Sequence, residues 1–155
     1  MEEGRGMATE PAKHHGFGTT LGYRIEEWRD GYGRISLELE PRHLNTSKVV
    51  HGGVIMTLMD VITGMTGAFC TVKGNRRHAM TVSLNTNFIG QAGSGRLIGI
   101  GHKTAGGRKI YFTSGEIRNA EGLVIATATG VHRYRSGSEN PEGVPKGSTV
   151  GSTGG

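Results

Sequence analysis

Between Gly53 and Cys70 the chain carries its one long apolar segment, and Val54, Ile55, Leu58, Ile62, Met65 and Phe69 recur in it at spacings of three and four. That period places them on one face of an α-helix. A membrane span is excluded, because Thr57, Asp60, Thr63 and Thr66 interrupt the segment and a charge near the middle of a lone span is costly. The helix therefore has to be covered by the rest of the chain. Gly64 and Gly67 leave little side chain on one side, so a sheet can approach it closely.

The covering elements read as strands. Residues 17–27 and 33–40 come before the helix; Arg34 to Glu40 alternates with period two, Asp30-Gly31 supplies the turn, and Pro41 ends the run. Four runs follow the helix: 78–88, 96–103, 110–117 and 123–134, separated by Gly-rich turns at 90–95, 105–107 and 119–122. Short strands joined by such turns form an antiparallel sheet. The order β-β-α-β-β-β-β predicts an α+β fold, one central helix against one long antiparallel sheet.

The chain has 155 residues, of which 28 are Gly and 34% are hydrophobic, enough for one domain. Residues 136–155 hold little apolar matter beyond Val144 and Val150, so they read as a disordered Gly/Ser-rich tail. Residues 1–15 read as a mobile arm, and the folded body spans 16–135. No leader segment opens the sequence, which makes the cytoplasm the expected compartment. The single Cys70 excludes an intrachain disulfide and a Cys-based zinc finger. His43, His51, His78, His102 and His132 lack ligand spacing, so no metal is expected.

Charge is uneven. Residues 1–60 hold seven Lys/Arg and nine Asp/Glu, whereas residues 61–135 hold ten against two. A basic half of this kind suits a polyanion, either nucleic acid or a small phosphorylated ligand. Few aromatics lie between the basic residues, which disfavours a stacking platform for single strands.

The stretch with chemistry in it runs from Asn45 to Asp60. His51-Gly52-Gly53 sits where a loop enters the helix, and the first N–H groups of a helix are unpartnered and lie at the positive end of its dipole. Two glycines let a carbonyl come close to that backbone, a good place to hold an oxyanion. Asp60 lies about two turns further along, either on an exposed stripe or in a functional position. His51 is read either as a general base or as a residue that fixes the loop by hydrogen bonding. Cys70 reads as an inert thiol, Ser47 and Ser83 have no nucleophile elbow, and Gly99-x-Gly101 opens no helix, so it is no dinucleotide fingerprint.

The pattern Asn45-x5-His51-Gly52-Gly53-x4-Leu58-x-Asp60, followed by Thr81-Val82-Ser83-Leu84-Asn85 and by Gly107-Arg108-Lys109-Ile110-Tyr111-Phe112, resembles the PaaI-like acyl-CoA thioesterases of the hotdog-fold superfamily. The resemblance spans about residues 17–135. It implies hydrolysis of a small acyl- or aryl-CoA thioester without a cofactor, CoA being part of the substrate. Asp60 would activate water or attack the carbonyl, the Gly52 N–H would polarise that carbonyl with help from Asn45, and Thr81 would orient water or acid. Gly53, Ser83, Phe88, Gly90, Arg108, Lys109 and Arg133 would contact the substrate, the basic ones at the CoA nucleotide. The resemblance also implies a homodimer or dimer of dimers, with Asn45 and Gly52 facing Asp60 and Thr81 of the neighbour. One departure is Gln91, which stands where the family often has Pro in an aromatic-x-x-Pro-Ala turn. Two other classes stay open on the residues alone: a non-catalytic acyl-CoA-binding module, and a nucleic-acid-binding domain.

Overall fold

The computed structural model describes residues 16–148. Six strands form one antiparallel sheet in the order β1-β2-β5-β6-β7-β4. They are β1 (Arg24–Arg29), β2 (Tyr32–Glu38), β4 (Ala79–Phe88), β5 (Arg96–Gly106), β6 (Ile110–Arg118) and β7 (Val124–Tyr134). A long helix, α2 (Gly52–Gly67), packs on one face of this sheet. No helix among the described residues is long and apolar enough to cross a membrane.

Ile55, Leu58, Met59 and Ile62 of α2 are buried against Ile35 and Leu37 of β2, Leu97 of β5 and Ile117 of β6. Small residues bring the layers together from the sheet side as well as the helix side. A Cβ on Gly101 would lie 2.5 Å from the Ile62 carbonyl oxygen, and one on Gly67 would lie 2.4 Å from the Tyr111 ring. The Tyr111 hydroxyl donates to the Gly64 carbonyl at 2.6 Å and the Tyr134 hydroxyl to Gly67 at 2.7 Å. These bonds use carbonyls in the last turn of the helix, which have no intrahelical donor.

The helix is shorter at its C-terminus than the apolar spacing predicts, ending at Gly67 rather than Cys70. Its last carbonyls are taken from outside the helix. Trp28 Nε1 donates to the Met65 carbonyl at 2.7 Å, and the Gly31 N–H donates to that of Thr66. Phe69 then leaves the helical path to meet Trp28 edge-on, with ring centroids 5.7 Å apart.

Two sequence expectations need correction. Residues 17–27 are not one strand. Phe17–Leu21 form a short helix, α1, closed by Gly22 at φ 84°, and β1 starts at Arg24. Long-range bonds hold α1: Arg42 Nη1 donates to the Thr20 carbonyl, and His43 Nε2 lies 2.8 Å from that of Leu21. Nor is the segment after residue 135 free of structure. Val144–Pro145 (β8) pair with Asn75–Arg76 (β3), and Ser138 is fully buried. The Ser138 hydroxyl accepts the His78 N–H at 2.9 Å, its carbonyl accepts Arg77 Nε, and the Arg77 guanidinium lies 4.0 Å from the centre of the Tyr134 ring. The segment is held by polar partners, which an apolar pattern does not announce. Residues 1–15 and 149–155 lie outside the described residues.

Removing residues 137–155 takes these bonds away, leaves the His78 N–H without a partner and strips Arg77 of its bonds to the Ser138 and Glu139 carbonyls. The truncated chain should melt lower by roughly 5 °C or more. Differential scanning fluorimetry decides it; an unchanged melting temperature would show that the segment adds nothing to the body.

Candidate active site

Asp60 lies on the solvent-exposed flank of α2, facing β4. Its Oδ1 accepts a hydrogen bond from Thr81 Oγ1 at 2.5 Å. Thr81 does not act alone. Its Oγ1 lies 3.3 Å from His132 Nδ1, and His132 Nε2 lies 3.2 Å from Thr113 Oγ1. The single proton of the Thr81 hydroxyl goes to Asp60, so Thr81 can only accept from His132, and Nδ1 must carry the imidazole hydrogen. Neutral His132 then accepts from Thr113 through Nε2. The result is one directed chain: Thr113 to His132 to Thr81 to Asp60.

His132 is buried and its ring stacks on Tyr111 with centroids 4.9 Å apart. Burial pushes its pKa below the ordinary histidine value, with the Asp60 carboxylate pulling weakly the other way. Gly130 makes room for this pair, since a Cβ there would lie 2.6 Å from Thr113 Oγ1 and 2.7 Å from His132 Nε2.

The shift has a consequence for stability. Below about pH 6.5 the unfolded chain takes up a proton that folded His132 resists, so stability falls as pH drops through that range. The melting temperature should decline between pH 7 and pH 5.5, and His132→Gln should decline less steeply. Parallel curves for the two proteins would remove His132 from this account.

At the other end of α2 the loop is preset. His51 is the N-cap: its Nδ1 accepts the Gly53 N–H at 2.8 Å, and its own N–H donates to the His43 carbonyl. Gly53 therefore has its N–H occupied. Val54 and Ile55 both donate to the His51 carbonyl. Among the described residues the Gly52 N–H has no hydrogen-bond partner, and it is the donor left over at the positive end of the helix. Phe88 flanks this position, 3.5 Å from where a Gly52 Cβ would be. Asn45 Oδ1 accepts the Ser47 and Val49 N–H groups at 2.9 and 3.3 Å, closing the loop, and its Nδ2 remains able to donate. Gly90 lies against Ile125, whose carbonyl accepts its N–H, and Ala92 accepts from Val50. The turn with Gln91 thus sits beside the His51 loop.

Gly52 and Asp60 are eight residues apart, about 12 Å along the helix. One carbonyl cannot touch both in a single chain.

Arg108 and Lys109 occupy the exposed turn between β5 and β6, and Arg133 pairs with Ile110 and Met80 in the neighbouring strands. The three gather at one corner of the sheet near the start of β4, with Arg133 on the face away from Thr81, since His132 and Tyr134 on either side of it are the buried ones. Glu139 also reaches this corner: backbone hydrogen bonds hold its carboxyl below the usual range, and the charges of Arg108 and Lys109 add to the effect. Ser83 is not brought to the site. A bulge between Thr81 and Ser83 sets Thr81 opposite His132 but Ser83 opposite Val131, which turns Ser83 to the other face of the sheet. His132 was missing from the sequence-derived set. Its signal is its parity in β7, where Ala126, Ala128, Gly130, His132 and Tyr134 are all buried.

Comparisons with known proteins bear on the fold and the family. An Archaeoglobus fulgidus protein named "Putative esterase" is 27% identical over 129 residues, covering 78% of this chain and 75% of its own. A hypothetical thioesterase from Streptococcus pneumoniae, solved with coenzyme A, superposes with a TM-score of 0.63 at 26% identity, over 72% of this chain and 84% of that one. The E. coli PaaI protein of the phenylacetic acid degradation operon superposes with a TM-score of 0.69 at 20% identity, over 78% and 85%. The fold is the hotdog fold, a long helix wrapped by an antiparallel sheet. Residues 47–126, more than half the chain and the stretch from the Asn45 loop to the start of β7, match the family model of the thioesterase superfamily, and to that superfamily this chain belongs.

Proposed function

We propose that this protein hydrolyses an acyl-CoA or aryl-CoA thioester to the free acid and CoA, using a site shared by two subunits. The observation that carries the reading is the Asp60–Thr81 pair, open to solvent and backed by a buried histidine, with the unused Gly52 N–H about 12 Å away on the same helix. The two halves suit one carbonyl only if each comes from a different subunit. β4 is an edge strand ten residues long, and its outward Met80 and Val82 are 46% and 59% exposed. Pairing of this edge with a second copy would cover them and set Asp60 and Thr81 opposite the partner's Gly52 and Asn45.

In the assembled site the thioester oxygen accepts from the partner's Gly52 N–H and from Nδ2 of the partner's Asn45. Asp60, held by Thr81, removes a proton from water as the water oxygen bonds to the carbonyl carbon. The negative charge collects on the oxygen at the two donors, where preset dipoles stabilise it best. Collapse breaks the C–S bond, and the thiolate of CoA takes the proton from Asp60. The alternative is attack by the Asp60 carboxylate itself, giving a mixed anhydride that water then cleaves. A single turnover in ¹⁸O-water separates the two, since only the anhydride route can place label in Asp60. A non-catalytic module would have no use for an exposed acid oriented by a hydroxyl and a buried imidazole.

The direct test is a panel of acyl- and aryl-CoA thioesters with detection of free thiol. Release above background supports the reading, and none with any thioester rejects it.

The basic corner would hold the phosphates of CoA. Such an exposed contact is modest and screened by salt. Arg108→Ala should therefore raise KM several-fold and leave kcat nearly unchanged. The same acyl group on pantetheine should be indifferent to the substitution; an equal effect on both thioesters would show that Arg108 does not read the nucleotide.

A further inference from the structure

A cleft of about 340 Å³ opens beside the start of α2, walled by Phe17 and Leu21 of α1, Leu44 of the following loop and Val54 of the helix. Its floor adjoins His51 and Gly53, the residues on either side of the unused Gly52 N–H. Most polar groups around it are already engaged. The Arg42 guanidinium is bonded to the Thr20 and Leu21 carbonyls and paired with Glu40. His43 accepts the Glu40 N–H through Nδ1, so its Nε2 hydrogen goes to the Leu21 carbonyl. His51 Nδ1 is taken by Gly53. The cleft is therefore walled mainly by hydrocarbon, and the one charged group on its lining, the Arg42 guanidinium, is already bonded to Thr20, Leu21 and Glu40. The same bonds pin α1 in place, so the cleft is formed before anything enters it.

We infer that this cleft receives the acyl group and selects an uncharged hydrocarbon chain or ring of intermediate size. The inference rests on the thioesterase reading above and adds the substrate class to it. An apolar cavity of about 150 Å³ is enough to hold benzene, so roughly twice that volume suits an acyl group of about six to ten carbons. A carbonyl at the Gly52 N–H would lie at the mouth of the cleft, with the chain running inward along Val54 and Leu44 toward Phe17. An acetyl group would leave the cleft empty. A dicarboxylic acyl group would set a charge against hydrocarbon walls, or have to displace Arg42 from Glu40 and the α1 carbonyls, and either is unfavourable.

Two substitutions test it from opposite sides. Val54→Phe fills the cleft; it should lower kcat/KM for octanoyl-CoA at least tenfold and leave acetyl-CoA within about twofold. Phe17→Ala, at an exposed position, opens the far end and should move the optimum to a longer chain. Profiles that stay parallel to the parent for both variants would overturn the inference while leaving hydrolysis intact. A second readout does not depend on turnover. Octanoate titrated into the ¹³C-labelled full chain should shift the Leu44 and Val54 methyl signals, acetate should not, and Val54→Phe should abolish the shift at Leu44. If the parent releases no thiol from any thioester, the proposed function fails and this titration alone decides the cleft. Shifts confined to octanoate would keep it as a hydrocarbon site, and no shift would end the inference.

Discussion

Asp60→Asn should lower kcat for thioester hydrolysis by about 10²-fold or more, the range for a lost acid–base or nucleophilic group. The substitution keeps the shape of the side chain and its bond from Thr81, since the amide oxygen can still accept at the place where Oδ1 now sits. It removes the charge and with it the ability to take a proton. Asp60 is exposed in the single chain and packs in no core, so the melting temperature should move little. Both readings of the Asp60 role make this prediction, because an amide is neither a base nor a useful nucleophile. A variant that hydrolyses thioesters at the parent rate would take Asp60 out of the mechanism.

Asn45→Asp should be nearly as damaging, again by about 10²-fold in kcat, with the fold retained. The loop needs only the acceptor atom of Asn45, which takes the Ser47 and Val49 N–H groups, and a carboxylate supplies that atom equally well. What disappears is the Nδ2 donor. Losing one donor to a developing oxyanion typically costs 10²–10³-fold, and here a negative charge replaces it. Asn45→Ala is the less informative change, because it opens the loop as well. If Asn45→Asp lowers the melting temperature and spares kcat, the residue serves the loop alone.

The elements were legible where a short-range period records them. The three- and four-residue spacing of Ile55, Leu58 and Ile62 marks α2, and the alternation of Arg34 to Glu40 marks β2. What failed was held by distant polar partners. α1 has five residues and is fixed by Arg42 and His43 some twenty positions away, so its local pattern reads equally well as a strand. Ser138 is buried because His78 and Arg77 bond to it, sixty residues back in the chain. The site shows the same division. Asp60, Thr81, Gly52 and Asn45 were all named from the motif and its resemblance. His132 was not, since its meaning depends on Thr81 and Thr113 in two other strands. The resemblance implies a substrate contact for Ser83; a bulge, invisible in the residues, sets it on the other face of the sheet from Thr81.

The central claim is that each site takes its acid from one subunit and its oxyanion donors from the other. Mixing Asp60→Asn protein with Asn45→Asp protein tests it. In a heterodimer both defects fall in one site and leave the other intact. Random exchange makes half the dimers mixed, so a one-to-one mixture should recover about a quarter of the parent activity. Exchange is followed separately by native mass spectrometry on size-tagged subunits. Recovery to that level from two nearly inactive proteins is the result this account predicts. Complete exchange with activity no higher than the average of the two variants would show that Asp60 and Asn45 do not meet across a subunit boundary.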